Sequence, residues 1–499
     1  NIEGTYSRAN KRDPRRDEWE FKTGGLSGSY DLSDDLYIFR PEAAAYDASS
    51  YEADSVSYES REAVEDLYQA RIDYRMPLNF GDGSSIKVGA KYINRKKTND
   101  ANAVTYDYEG DSLTLDQVAG RPIDSIYEGR YPFGPTVSQD LADAYFAANR
   151  ADFEIDDEAT IGDSLAADYD ISETITAAYA MATLKFDRWT FIPGVRVEHT
   201  QGEFAAKSIT DTSTLDQGFD VFGKREYTDW FPGLNVRYDA SDSLVLRGAI
   251  TTAIGRPNYE DLAPYVIVNT GDEEVAVGNP DLQPLESVNF DVAAEYYLGR
   301  SGVLSVSVFR KQIENPIFFS TQNLTDVTYA GIFLPDAEVT TPVNADKAEV
   351  NGIEFNIQSE LDFLPIKGFS GGVNLTLVDS KASGVPGRDD EVPLLTQSDK
   401  VASAQLSYER GGFSGRVAYT YRSAYLDTVG SEASEDLYVD DFNQWDARVA
   451  YKINARASVS LEASNLNDEP QRFYVGNRSR IAENERYGYS LRAGVQLTF

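Results

Sequence analysis

The sequence predicts an all-β fold: a transmembrane antiparallel barrel whose strands run up and down in chain order. Three observations predict it. Apolar and polar residues alternate with period two in segment after segment, out to the last residue. The connections between those segments are alternately short and long. No run approaches the ~18 consecutive apolar residues that a membrane-crossing helix needs.

The alternation can be followed in order. Leu234, Val236 and Tyr238 oppose Asn235, Arg237 and Asp239. Phe290, Val292, Ala294, Tyr296 and Leu298 oppose Asn289, Asp291, Ala293 and Glu295. Ile353, Phe355 and Ile357 oppose Glu354, Asn356 and Gln358, and Val417, Tyr419 and Tyr421 oppose Arg416, Thr420 and Arg422. Trp445, Ala447, Val449 and Tyr451 oppose Asp446, Arg448, Ala450 and Lys452. Ala457, Val459, Leu461 and Ala463 oppose Arg456, Ser458, Ser460 and Glu462. Finally Tyr489, Leu491, Ala493, Val495, Leu497 and Phe499 oppose Ser490, Arg492, Gly494, Gln496 and Thr498. A strand sends successive side chains to opposite faces, so each segment has one apolar and one polar face.

Short turns fall near 76–83, 187–188, 239–242, 299–302, 362–367, 409–412 and 452–455. Long polar segments fall near 10–62, 96–169, 200–224, 255–285, 313–346, 380–397, 426–439 and 467–484. Such a series requires about 16 strands joined as successive hairpins. A soluble sheet buries its apolar face beneath a second layer, and its loops need not alternate in length. Aromatic-rich stripes, polar opposite faces, turns at one end and loops at the other are the signature of an outer-membrane barrel. The apolar face then meets lipid and the polar face lines the lumen.

Composition narrows the function. The 499 residues include 82 acidic and 46 basic side chains, a formal charge of −36, with no Cys and one His. The charge excludes a nucleic-acid binder, which needs a basic footprint. The absence of Cys removes disulfides and thiol chemistry, and a single His removes a multi-His metal centre. No Gly/Ser- or Pro-rich spacer divides the chain, so residues 1–499 read as a single barrel domain. A barrel-embedded hydrolase would need a Ser and an orienting group beside His199, and nothing in the sequence suggests them, so no catalytic residue is assigned.

Several segments, in order, resemble the C-terminal barrel of TonB-dependent outer-membrane receptors. They are Arg247 to Pro264, Gly278-Asn-Pro-Asp-Leu-Gln-Pro-Leu-Glu-Ser287, Val306-Ser-Val-Phe-Arg-Lys311, Ala348-Glu-Val-Asn-Gly-Ile-Glu-Phe355, Leu461-Glu-Ala-Ser-Asn-Leu-Asn-Asp-Glu-Pro470 and the terminal strand. The first half matches more loosely, through Gly4-Thr-Tyr-Ser-Arg8 and Asp17-Glu-Trp-Glu-Phe21. The flavour resembles the Caulobacter- and Xanthomonas-type subgroup, many of whose members are linked to import of plant or algal carbohydrate. The resemblance implies a barrel of about 22 strands, filled by an N-terminal plug that engages the TonB energy-coupling complex. On that reading the plug and the first strands are absent from this chain, and residue 1 falls near the family's seventh strand.

Candidate ligand contacts lie in the long loops. Segment 96–169 contains 16 acidic residues against five basic ones, together with Tyr106, Tyr108, Tyr127, Tyr131, Phe133, Tyr145 and Phe146. Aromatic faces interleaved with carboxylates suit a sugar's C–H surfaces and hydroxyls, although loop aromatics commonly pack on their own loop. Asp124–Glu128 and Asp140–Phe146 read as short helical turns over the mouth. Tyr259 and Asp261 join the candidates, as does Arg478, which with Arg388, Arg472 and Arg480 would suit an anion. Asp152, Glu154, Asp156 and Asp157 form a dense carboxylate run that could hold Ca²⁺, but without EF-hand spacing. A solvated charged loop is the simpler reading of that run. Pro280 and Pro284 read as structural, since neither can donate to a strand ladder.

These readings converge on a receptor for active nutrient uptake, with carbohydrate the expected substrate, because the acidic background opposes accumulation of free anions and so favours a neutral sugar. Its partners are outer-membrane lipid, the TonB complex and a small-molecule or oligosaccharide substrate, with no cofactor. The alternatives are a ferric-siderophore receptor of the same family and a passive, porin-like channel of about 16 strands.

Overall fold

The computed structural model describes residues 1–31, 37–81, 83–127, 129–299 and 301–498. Its main sheet has 17 strands, one of which, Phe153–Asp156, is a four-residue rung above the wall. The other 16 form a continuous antiparallel meander. They are β1 (Ile2–Lys22), β2 (Glu52–Pro77), β3 (Ser85–Tyr108), β4 (Tyr169–Phe186), β5 (Trp189–Ala206), β6 (Val221–Asp239), β7 (Leu244–Gly255) and β8 (Leu285–Tyr297), followed by β9 (Gly302–Glu314), β10 (Lys347–Glu360), β11 (Phe369–Ser383), β12 (Lys400–Arg410), β13 (Phe413–Arg422), β14 (Phe442–Asn454), β15 (Ala457–Ser464) and β16 (Ser490–Leu497). Each strand pairs with the next in chain order. Among the described residues no ladder joins β1 to β16.

Turn chemistry fixes the short-turn rim. Asp187 (φ 51°) opens a two-residue turn between Phe186 and Trp189. Gly411 (φ 62°) and Gly412 (φ 84°) form another between Arg410 and Phe413. Two consecutive left-handed residues give the turn whose twist matches the flanking strands, and glycine adopts that conformation without steric cost. Pro284 stands immediately before β8, as its missing N–H requires. The Asn465–Pro470 segment turns the chain after β15. Asn465 and Asp468 are left-handed, and Asn465 Nδ2 donates to the carbonyls of Glu469 and Gly488, both at 3.2 Å. Asn467 Oδ1 accepts the Trp445 amide at 3.0 Å, so one motif ties β14, β15 and the approach to β16.

Register assigns the faces. Tyr419, Trp445 and Leu461 face outward, and the last strand follows them: Leu491 pairs Ala463 and Val495 pairs Val459. Arg492 lies opposite Glu462 on the lumen side. Leu491, Val495 and Leu497 are therefore outward, as the alternation predicts, while Phe499 lies outside the described residues. Aromatic pairs gird the short-turn rim, including Trp189 stacked on Tyr238 at 4.3 Å and Phe369 against Tyr408 at 4.8 Å. Polar lumen groups pair across the wall. Tyr179 donates to Asp73 at 2.5 Å, which also receives Arg71 at 2.6 Å, and Ser307 donates to Glu354 at 2.8 Å. His199 points outward, with Thr228 Oγ1 at 2.9 Å and Glu226 at 3.3 Å, away from the lumen.

The strands are longer than the sequence reading placed them. Segments 10–22, 52–62 and 96–108 are strand, not loop, and β2 alone runs 26 residues. About 9–11 residues cross a bilayer, so these strands continue well above it. There neither face meets lipid: charges stand on both faces and Val56, Tyr106 and Tyr108 are covered by a loop core, which removes the lipid-against-lumen alternation. Within 313–346 the chain forms a further hairpin, Ile317–Tyr329 with Ile332–Asn344, whose tip half, with Leu334 and Val339, packs against Val268 and Val275.

The outward assignment of Val495 has an energetic consequence. Val495→Arg is expected to destabilise the folded barrel by about 2–4 kcal/mol at mid-bilayer depth, and Gln496→Arg, facing the lumen, by far less. Reversible folding into lipid, followed by urea titration, measures both, and equal penalties would contradict the face assignment.

Candidate functional site

The long-loop mouth contains a cavity of about 580 Å³ between the upper lumen face of β1–β4 and the 256–284 loop. That loop folds back over the wall. The short helix Tyr259–Leu262 and Leu282 bury against Tyr169, Ile171 and Phe204 at the top of β4 and β5. Pro280 seats on Gly223, where an added Cβ would lie 2.6 Å from the ring. Leu282 is almost fully buried, so the Asn-Pro-Asp-Leu motif acts as a structural strap.

The cavity's charges are unevenly committed. On its acidic side Glu65 receives Arg95 at 3.1 Å, and Asp168 is held by Lys207 and the Ala101 amide, both at 2.8 Å. On its basic side Lys11 has, among the described residues, only Asp13, at 3.9 Å, and Lys97 lies over the rings of Tyr169 and Tyr259. Arg61 makes no hydrogen bond or ion pair among the described residues. A contiguous cavity of about 350 Å³ continues along Arg95, Glu173, Arg256 and Tyr259. There Tyr259 accepts from Arg95 at 2.7 Å and donates to Glu173 at 2.9 Å, and burial raises its phenol above the usual range.

The candidates read from the sequence divide. Tyr259 lines the site, whereas Asp261 is buried behind it with Asn258 at 3.2 Å, and burial raises its carboxyl above the usual range. Tyr106, Tyr108 and Tyr145 are half-buried in a loop core with Phe146 and Phe153 around Val56, Leu113 and Val118. Burial and the Tyr108 hydroxyl raise Tyr145 to about 12. These rings hold their own loop together. Tyr127 and Tyr131 bind carbonyls of neighbouring loops, at Asn484 and Tyr37, which leaves Phe133, 51% exposed, as the open aromatic face of this group.

Arg478 is engaged by Asp440 at 3.0 Å and by Asp441. The carboxylate run is architectural. Glu154 lies in the Phe153–Asp156 rung, Asp156 caps the helix Asp157–Leu165 through the Ala159 amide at 2.9 Å, and Asp157 occupies that helix's first turn. Asp152 accepts the Glu109 amide through its carbonyl, and no cluster of acidic or His side chains among the described residues is arranged to hold a metal. A helix does form at Gln139–Ala148, but 124–126 is non-helical, bridged at Ile126 to Tyr131, Tyr127 (φ 53°) lies in a turn, and Glu128 lies outside the described residues. Lys11, Arg61 and Lys97 were missed because their segments read as loop. The odd-numbered series Lys87, Lys91, Arg95, Lys97 shows period two and could have revealed the basic lumen face of β3.

Across the mouth, Arg388 is a loop fastener. Its side chain is 4% exposed and donates to Asp436, 3% exposed, at 2.6 Å, as well as to Asp390 and the Gly430 carbonyl. Removing one partner of a buried pair strands the other charge. Arg388→Ala is expected to cost the loop assembly about 3–5 kcal/mol, read as rapid proteolysis at 384–399 with the barrel intact. The Arg388 hydrogen bond holds the Asp390 carboxyl below its ordinary value. A depressed folded-state pKa gives a contribution present above the ordinary carboxylate range and lost as pH falls through the folded value. Asp390 is half-exposed, so the effect is small. Proteolysis of these loops should accelerate at acid pH in the parent and less so in Asp390→Asn.

Residues 3–466 match the family model "TonB dependent receptor-like, beta-barrel". An iron-regulated outer membrane virulence protein of Vibrio cholerae is 24% identical over 228 residues, covering 45% of this chain and 33% of its own. Among solved structures, the copper transporter OprC aligns with a TM-score of 0.56 at 14% identity, over 96% of this chain and 67% of that one. The siderophore receptor PiuA of Acinetobacter baumannii aligns at 0.53 and 12%, over 89% and 61%. The chain thus spans a third of the curated relative and about two thirds of these solved chains. The family match, with the outward apolar band and the hairpin meander, places the chain in the TonB-dependent receptor-like β-barrel family of the bacterial outer membrane, a family of receptors rather than enzymes.

Proposed function

We propose that this chain supplies the channel wall and the ligand-capturing surface of a receptor for active nutrient uptake, energised through a plug domain by the TonB complex. The observation that carries this reading is the mouth cavity, in which Lys11, Arg61 and Lys97 stand without strong partners while Glu65 and Asp168 are held by Arg95 and Lys207, leaving Glu260 as the lining carboxylate without a bond among the described residues. Such a site favours a small anionic ligand, a ferric siderophore among the classes the family takes. A second reading, an oligosaccharide, is favoured by the exposed Phe133 and by Tyr265 in the cavity wall. It is weaker, because Tyr106, Tyr108 and Tyr145 are spent on the loop core.

Titrating the full receptor with candidate ligands at rising salt separates the two. An anion site loses affinity steeply with ionic strength, and a sugar site does not. Lys97→Gln with Arg61→Gln should weaken an anionic ligand by about tenfold or more, the loss of roughly one charge-assisted hydrogen bond. Unchanged affinity would remove this cavity from the capture site.

The wall itself calls for completion. Among the described residues no ladder joins β1 to β16, and hydrocarbon tolerates no open strand edge. We take these edges to pair with further strands of the receptor, about six for a 22-strand barrel. Disulfide geometry requires Cα atoms about 4.4–6.8 Å apart. Thr5→Cys combined in turn with Arg492→Cys, Gly494→Cys or Gln496→Cys is therefore expected to stay reduced under oxidant. Efficient cross-linking would instead mean a closed 16-strand channel.

A further inference from the structure

A strand edge stands open above the long-loop rim. Five segments from three long loops form one sheet there, in the order Ile317–Tyr329, Ile332–Asn344, Glu274–Val277, Val266–Asn269 and Ser208–Ile209. Its two edges differ. At Ser208 the backbone carbonyl receives Gln217 Nε2 at 2.8 Å and Ser213 Oγ at 3.2 Å, and the amide donates to Asp220 at 2.8 Å. That edge is closed by its own loop. The other edge is Ile317–Tyr329, fastened only at its base. Phe318 is buried in one cluster with Ala382, Val385 and Val392, and Ser320 Oγ donates to the Pro386 carbonyl at 3.4 Å. Above Ser320 the strand pairs with Ile332–Asn344 alone, and nothing among the described residues takes its outer N–H and C=O groups.

An open edge is ordinarily blunted by lysine, proline, an inward charge or a bulge. The stretch Phe319 to Thr325 carries no charge and no proline, and it keeps unbroken register with Pro342 to Asp336. Asp326, left-handed at φ 53°, ends that stretch. The open edges of the wall do not account for it. The hairpin rises between β9 and β10, eight strands from β1 and six from β16, on the side away from the two edges that further strands would complete.

The sheet has charge of one sign. None of its five strands contains Lys or Arg. Register places Asp336 beside Thr325, Glu338 beside Asn323 and Glu274 beside Glu338, all on the exposed face. With Asp326 and Glu273, these carboxylates make no ion pair or side-chain hydrogen bond among the described residues. The opposite face is apolar at Leu324, which packs on the core of Val268, Val275 and Val339.

We propose that Phe319–Thr325 is a docking edge for an extended, basic segment of a partner protein, which adds to the sheet as a sixth strand. In strand addition the main-chain bonds supply affinity and alternate side chains supply specificity. Basic side chains on one face of the added strand lie about 10 Å, two strand spacings, from the carboxylates of Ile332–Asn344. A long lysine or arginine stem meeting a glutamate closes that gap. Apolar side chains on the other face extend the core beyond Leu324. The mouth cavity reaches this sheet at Ala276 and Ile267, two and three strands in from the edge, so the proposal does not depend on which small ligand that cavity takes.

Fluorescence-anisotropy titration of the full receptor in detergent tests it. The probe is a labelled peptide of alternating lysine and valine. A lysine–proline peptide of equal charge and length cannot join a ladder, and a glutamate–valine peptide carries the wrong sign. The lysine–valine peptide is expected to bind, less tightly as salt rises, and both controls at least about tenfold more weakly. Thr321→Lys with Thr325→Lys, which charges the edge, should weaken the lysine–valine peptide about tenfold or more. Glu274→Gln with Glu338→Gln leaves the edge intact and should weaken it less while flattening the salt dependence. Unheated gel mobility and parent-like resistance of the 317–344 hairpin to protease confirm that the variants are folded. Equal binding of the lysine–valine and lysine–proline peptides overturns strand addition. Affinity unchanged in Thr321→Lys with Thr325→Lys overturns this location and places the peptide on another acidic loop. Absence of lysine–valine binding to the full receptor overturns the proposal as well, because the edge is then covered by another part of the receptor.

Discussion

Every level of this structure depends on one constraint: inside hydrocarbon no backbone N–H or C=O can turn to water. A sheet meets that constraint only if each strand is paired on both edges. The consequence is visible in the topology, where each of the interior strands pairs with its predecessor and its successor and no strand is skipped. Chain-order pairing in turn demands a hairpin at every step, so turns collect on one rim and loops on the other. The alternation of side chains then has only two destinations, lipid and lumen. The apolar stripe of β16 and Arg492 behind it are two readings of one pleat.

What was legible in the sequence follows from the same constraint. Where a strand separates two unlike solvents, as at Ser490–Leu497 or Trp445–Lys452, chemistry must alternate and the strand can be read. Above the bilayer neither face meets lipid. Segments 10–22, 52–62 and 96–108 carry charges on both faces, such as Arg12 against Glu62 at 3.1 Å on one and Arg16 with Glu59 at 4.0 Å on the other. Their strand character comes from ladder continuity with the wall below, which leaves no periodic trace. The same effect concealed Lys11, Arg61 and Lys97, because the site sits where the strands leave the membrane.

The loop aromatics were legible as residues but not as partners. Carboxylates and tyrosines interleaved along 96–169 suit either a sugar platform or a self-packed loop, and the two differ only in which rings meet. The contact of Phe146 with Tyr106 at 5.1 Å and with Phe153 at 4.8 Å joins a strand end, a helix and a rung that lie well apart along the chain. A long loop must supply its own core to hold a shape, since neither the lipid nor the lumen wall can. Its aromatic wealth is therefore spent first on order. On the reading proposed above, capture falls to residues on the rigid strands beneath and to the few rings, such as Phe133, that the core does not use.

Charge distribution obeys the same geometry. A formal charge of −36 opposes accumulation of anions near the surface, yet salt reduces that repulsion over a Debye length of about 8 Å. A group inside a cavity sees its immediate wall more strongly than the distant loops. Acidic loops and basic lumen positions are then compatible. Glu65 and Asp168 near the mouth are bound by Arg95 and Lys207, so they cancel little of the field from Lys11, Arg61 and Lys97. On the reading proposed above, these weakly partnered cations make the mouth cavity, not the acidic surface, the place where a small anion gains from this protein.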